Sequence, residues 1–166
     1  MTVFRNPDTR PDDVIETPRQ LILEDMTPGR EFVSPERVIT AEDIVAFGRQ
    51  FDPQVFHVDP EAAADSFFGA HVASGWHTTA FTMKLMVETL PIAGGVIGAG
   101  CEKISWPRPV YPGDRLHLVI EVETARASTS RPDIGIVGIK VTTLNQHGDA
   151  VQIMHPRIVV PLRGAE

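Results

Sequence analysis

Residues 74–90, SGWHTTAFTMKLMVETL, constrain this chain more than any other stretch. At helical spacing Trp76, Ala80, Met83, Val87 and Leu90 recur every three or four positions, and Phe81, Leu85 and Met86 fill the remaining sides. Only Lys84 and Glu88 interrupt them. A helix that is apolar nearly all round has no face to offer water, so it is expected to be deeply buried and must be wrapped by something else. The C-terminal half supplies the wrapping. The runs GVIGAGCEKISWPRPV, RLHLVIEVETARAS, DIGIVGIKVTTLNQ and AVQIMHPRIVVPL are β-rich and are punctuated by the turn clusters YPGD, STSRP and HGD. LHLVIEVET alternates with the two-residue period of a half-buried strand. Helices first and strands afterwards predict an α+β fold: a four-strand antiparallel meander, with about one strand more, curled around one long central helix.

The front half adds smaller elements. FVSPERVI, residues 32–39, reads as an edge strand, because Pro35 has no N–H to give a neighbour. Thr40 is a helix N-cap, followed by Asp43 and by the apolar positions Ile44, Val45 and Phe47, which predicts a helix over 41–50. In DPEAAADSFFG, Asp59 caps, Pro60 starts and Gly69 stops a short helical segment. Residues 1–19, with Pro7, Pro11 and Pro18, read as an irregular arm, leaving 20–166 as a single domain. Gly94, Gly95, Gly98 and Gly100 form no phosphate loop, since no Gly-Lys-Ser/Thr follows; they are expected to ease sheet curvature. Cys101 is expected to be a small buried hydrophobe.

Charge and composition exclude some partners. A formal net charge of −7 argues against nucleic acid, which selects clustered Lys and Arg. One cysteine permits no internal disulfide and suits a reducing compartment. Neither a signal-peptide core nor a membrane-length apolar run occurs, so a cytoplasmic protein with no membrane partner is expected.

Chemistry concentrates in two places. FDPQVFH, residues 51–57, sets Asp52 and His57 on what reads as an ordered loop between apolar segments. Farther on, Ser74 caps the central helix and Gly75 occupies its first turn. The N–H groups there lack helical partners and carry the positive end of the dipole. Glycine admits a close approach, so an oxygen gaining negative charge can be received at Gly75. An imidazole titrates nearest neutrality and suits a base. Burial between Phe51 and Phe56 is expected to raise the Asp52 carboxyl enough to let it carry a proton. His71 and His77 match no ligand spacing, and no metal site is expected.

These segments together resemble the MaoC-like dehydratases, the family of (R)-specific enoyl-CoA hydratases with a hotdog fold. The family motif of an Asp, four intervening residues and a His, then an acid two further on, is matched by Asp52, His57 and Asp59. The family's G-x-x-V-A-H-G-M segment is matched by Gly69-Ala70-His71-Val72-Ala73-Ser74-Gly75-Trp76. The aromatic-x-x-P-V-x-x-G-D-x-L segment is matched from Trp106 to Leu116, and the resemblance runs over roughly residues 30–162. Asn-Pro is absent from the loop, where Gln54 and Val55 stand, and Ser74 replaces a common His. A serine that holds the aspartate in bacterial hydratases is Met83 here, so Thr79 or Thr82 is expected to take its place.

The resemblance implies reversible hydration of a 2-enoyl-CoA, or dehydration of a 3-hydroxyacyl-CoA. Asp52 and His57 would supply acid–base catalysis and Gly75 the oxyanion donor, with Ser74, Trp76, Val72 and Phe56 meeting substrate. It implies no metal or redox cofactor, CoA arriving as part of the acyl-CoA substrate, and a homodimer with the acyl channel at the boundary. Arg108, Arg115 and Arg126 are candidates to meet CoA phosphates. A hotdog thioesterase is the enzymatic alternative, but it places its carboxylate on the central helix, which offers only Glu88. A non-catalytic acyl-CoA-binding protein of the same fold is the other.

Overall fold

A computed structural model of the chain describes residues 19–164; apart from Arg19, the expected N-terminal arm lies outside them. The elements run β1 (Glu31–Val33), β2 (Arg37–Val38), α1 (Ala41–Phe51), α2 (Val55–Val58), α3 (Gly75–Thr89), β3 (Ile97–Ser105), β4 (Arg115–Ala127), β5 (Ile134–Leu144) and β6 (Ala150–Pro161). All strand pairs are antiparallel, in the order β1-β4-β5-β6-β3, with β2 also on β4. The long helix α3 lies against this curved sheet, which is the α+β hotdog arrangement.

Alternation decides which sheet face is inward. Leu116, Leu118, Ile120 and Val122 of β4 and Val137, Ile139 and Val141 of β5 are fully buried, and the residues between them are half-exposed. Except for Leu116, they form one cluster with Ile158 and Val160 of β6, Leu85 and Met86 of α3, and Leu90 just after it. A second apolar cluster joins Ile39, Ile44, Ala73, Val110, Leu116 and Val151. Along the cross-strand row Leu118, Thr143 and Gln152, the inner face turns polar.

Several sequence expectations change. Residues 32–39 do not form one strand: Ser34 and Pro35 divide β1 from β2, and Ser34 Oγ accepts from Leu118 N–H at 2.8 Å across the gap. The sheet is not a four-strand meander. Only β4, β5 and β6 follow one another, while β3 crosses to the far side and pairs with β6. Residues 52–57 are not all loop, because Val55–Val58 make a single helical turn that carries His57. Cys101 is exposed rather than buried, since β3 is an outer strand with most of its residues open to solvent.

The helix α3 is also not buried on every side. Trp76 is 61% exposed, Met83 40% and Val87 54%, so an apolar stripe faces outward in the single chain. Of the four glycines expected to ease sheet curvature, Gly94 and Gly95 lie before β3, outside the sheet, and only Gly98 and Gly100 are in it. Gly94, Gly95 and Gly100 take positive φ, and the β3–β6 register shifts between Gly98 and Gly100. The helix start at Thr40 is also as expected, its Oγ1 accepting from Asp43 N–H at 3.1 Å.

Candidate active site

Asp52 is the C-cap of α1, its N–H bonded to Gly48 O at 2.9 Å. Pro53 follows the end of the helix and Gln54 is the N-cap of α2, so His57 returns toward Asp52 one turn later. His57 Nε2 lies 3.3 Å from Asp52 Oδ2. On its other side, His57 Nδ1 is 2.7 Å from Val72 O. A carbonyl only accepts, so Nδ1 carries the hydrogen and Nε2 is the nitrogen free to exchange a proton. The ring is almost fully buried and has an edge-on contact with Phe56 at 4.5 Å.

Asp52 is held from three directions. Ser74 Oγ donates to Oδ2 at 2.6 Å, Gln54 Nε2 donates to Oδ1 at 2.8 Å, and His57 stands beside Oδ2. Burial alone pushes this carboxyl up, but the hydrogen bonds from Ser74 and Gln54 and the charge of His57 outweigh it and hold Asp52 below its ordinary value of 3.8. The expected upward shift is therefore reversed. Phe51 does not enclose Asp52; it is 64% exposed.

The expected replacement for the family serine is also different. Thr79 and Thr82 do not touch Asp52; Ser74, the cap of α3, does. The same Ser74 oxygen accepts from Trp76 N–H at 3.2 Å. Among the described hydrogen bonds the Gly75 N–H has no protein acceptor. A Cβ on Gly75 would lie 2.9 Å from Trp106 Cε2, so glycine is required by the indole that packs on it.

All these groups border one cavity of about 520 Å³. Asp52, His57, Gly75, Ser74, Trp76, Val72 and Phe56 all line it, so the residues singled out in the sequence come together at one place. Trp106 and Val110, from the matched segment after β3, add apolar wall, as do Phe67 and Phe68, which no local pattern in the sequence assigns to it. Gln54 is only a departure from the motif in the sequence, yet it bonds the aspartate.

The remaining candidates sort themselves by contact. Arg108 borders the cavity and pairs with Asp149 at 3.2 Å. Arg115 pairs with Glu36 at 2.7 Å, and neither it nor Arg126 borders the cavity. Glu88 pairs with Arg37 at 3.2 Å, away from the cavity. Asp59 caps the turn after it, accepting from the N–H of Glu61 and of Ala62, each at 3.0 Å. His71 Nε2 is 3.1 Å from His57 O, and His77 stacks on Phe47 with centroids 4.7 Å apart. Among the described residues no group of three or more His, Cys, Asp or Glu is placed to hold a metal. No helix among them is long and apolar enough to cross a membrane.

Known proteins are similar to this chain in sequence, and solved structures in fold. A family model described as MaoC like domain matches residues 24–145. The uncharacterized protein YdeM of Bacillus subtilis is 35% identical over 126 residues, covering 75% of this chain and 87% of that protein. The 3-hydroxyacyl-thioester dehydratase Z of Mycobacterium tuberculosis is 36% identical over 81 residues, only 47% of this chain and 54% of its own length. The crystal structure of the MaoC-like dehydratase from Rhodospirillum rubrum superposes with a TM-score of 0.82 at 49% identity, covering 86% of this chain and 98% of that one. With its family segment matched over most of its length and its fold shared, this chain belongs to the MaoC-like dehydratase family.

Proposed function

We propose that the protein reversibly hydrates a 2-enoyl-CoA, or dehydrates the corresponding 3-hydroxyacyl-CoA. The observation that carries this reading is the convergence of Asp52 and His57, 3.3 Å apart, on the cavity that also exposes the start of α3 at Gly75. Similarity to a 3-hydroxyacyl-thioester dehydratase over 81 residues supports it.

The chemistry follows from the proton positions. His57 Nε2 removes a proton from water as the water oxygen bonds to C3 of the enoyl group. The π electrons move toward the thioester, whose oxygen gains charge and is received by the Gly75 N–H, a donor worth roughly 3–4 kcal/mol in such a role. The imidazolium then returns its proton to C2. Asp52 stays ionised throughout, orients the water and offsets the charge that His57 acquires. Phe56, Val72, Trp76 and Trp106 exclude water from the acyl chain. No step calls for a metal or a redox cofactor; CoA comes and goes with the substrate.

A homodimer completes the reading. The outward apolar stripe of Trp76, Met83 and Val87 and the open edge of β3 support pairing of two copies. The thioesterase alternative is disfavoured because Glu88, the only carboxylate of α3, is engaged with Arg37 away from the cavity.

Purified protein mixed with crotonyl-CoA provides the test, with enoyl absorbance and free thiol followed together. Loss of the enoyl signal without thiol is expected, reduced at least about a hundredfold in Asp52→Asn and in His57→Ala. Thiol release would point to the thioesterase. Binding without turnover would point to the acyl-CoA-binding protein.

A further inference from the structure

Gln152 is completely buried on β6, between the two apolar clusters of the core. Its Oε1 accepts from Trp106 Nε1 at 2.9 Å and from Thr79 Oγ1 at 2.8 Å. Its Nε2 donates to Thr82 Oγ1 at 3.0 Å. An indole N–H only donates, so the side-chain amide has one possible orientation. Thr82 then accepts from Gln152, and its Oγ1 is also hydrogen-bonded to Thr143 Oγ1, 2.8 Å away.

For stability alone, an apolar side chain of the same shape would serve a core about as well. What the amide adds is direction. The Trp106 ring that it holds lies against Gly75, where a Cβ would meet Cε2 at 2.9 Å and Cδ2 at 3.0 Å. Thr79 Oγ1 stands 2.8 Å from Oε1 and 2.9 Å from Gly75 O, and its one hydrogen is shared between these two acceptors. Gln152 therefore bears on the first turn of α3 through the indole, and it shares the Thr79 hydroxyl with the carbonyl of that turn.

We infer that Gln152 is a positioning residue that fixes the Gly75 amide toward the cavity, acting through Trp106 and Thr79. The inference rests on the reading that the Gly75 N–H receives the thioester oxygen. Misplacement of a donor by a fraction of an ångström lowers turnover while leaving the remainder of the binding surface intact.

The test compares Gln152→Met and Trp106→Phe, alone and combined. Hydration of crotonyl-CoA gives kcat and KM, and amide spectra of 15N-labelled protein give the backbone. The chain has two tryptophans, so only two indole N–H signals need to be told apart. Expected is a fall in kcat of roughly tenfold to a hundredfold in each single variant, with KM changed by less than about threefold. The Gly75 amide signal moves in both, and the double variant is no slower than the slower single one. A kcat close to wild type in Gln152→Met, an unmoved Gly75 signal, or losses that multiply in the double variant would overturn the inference. If Gln152→Met fails to fold, Trp106→Phe carries the same expectations, because it removes the indole donor and keeps the amide. If the wild-type protein leaves crotonyl-CoA untouched, the hydratase reading falls; the Gly75 signal then decides the positioning role by itself.

Discussion

The hydroxyl of Ser74 lies 2.6 Å from Asp52 Oδ2, across a separation of 22 residues, and it also accepts the Trp76 N–H that begins α3. One oxygen thus caps the central helix and holds the carboxylate. Ser74→Ala is expected to lower stability by about 1–3 kcal/mol, from the lost cap and the lost charged hydrogen bond. It should also lower kcat/KM in the hydration assay. Denaturant unfolding and kinetics on the same preparation check both effects.

Asp52 gives a pH dependence with a defined sign. Burial raises its carboxyl, but Ser74, Gln54 and His57 together hold it below 3.8. A lowered carboxyl adds stability above its unfolded value and loses it as the pH falls through the folded value. Removing both donors, as Ser74→Ala with Gln54→Ala, should therefore shift the acid limb of stability and of kcat/KM to higher pH. Unfolding midpoints and rate profiles taken into acid measure the shift.

Gly75→Ala puts a methyl group into the Trp106 indole, at 2.9 Å from Cε2. Alanine favours helix by about 1 kcal/mol over glycine, but overpacking of this kind costs about 1–3 kcal/mol. The net effect should be destabilising, with a change in tryptophan fluorescence and a loss of turnover. Thermal unfolding and emission spectra read it out.

Burial makes His77 harder to protonate than a surface histidine. It is buried, with Nδ1 unpartnered and its ring stacked on Phe47. Burial lowers its pKa below 6.5, with Asp43 opposing and His57 adding to the shift. The unfolded chain binds the proton first, so stability drops as the pH falls from 6.5 toward the folded value. His77→Phe should remove that slope, being more stable relative to wild type in mild acid than at alkaline pH. Urea unfolding across this window tests it.

Pairing of two copies predicts a sedimentation mass of twice the 18.2 kDa of the single chain. Charging the outward stripe with Val87→Lys should shift the population toward the single chain and raise the exposure of Trp76. Analytical ultracentrifugation at several concentrations decides between the two species.

Much of this architecture can be read from local patterns. Thr40 with Asp43, Ser74 with Gly75, and the alternation from Leu116 to Val122 each carry their instruction within a few residues, and α1, α3 and β4 form there. Relations between residues far apart in the chain are harder to read. Nothing in GVIGAGCEKIS says that this strand joins β6 rather than its neighbour β4, because strand order is fixed by crossover, not by alternation. The single turn of α2 is too short to show a helical period. Gln152 sits among apolar residues as a solvent-facing polar group would, and only its hydrogen bonds to Thr79, Thr82 and Trp106 betray an inward side chain. The apolar surround of α3 is legible, but it does not distinguish contact within one chain from contact between two.

The placement of β3 beside β6 orders events during synthesis. Trp106 follows directly from β3, whose hydrogen-bonded neighbour is the last strand to leave the ribosome among those described. Until that strand emerges, the indole has neither a sheet edge beneath it nor the amide of Gln152 to grip. Asp52 and His57 can meet earlier, and the residues that line their cavity all precede position 111, so a nascent chain stalled before residue 150 has the lining but lacks the amide that holds its Trp106 wall.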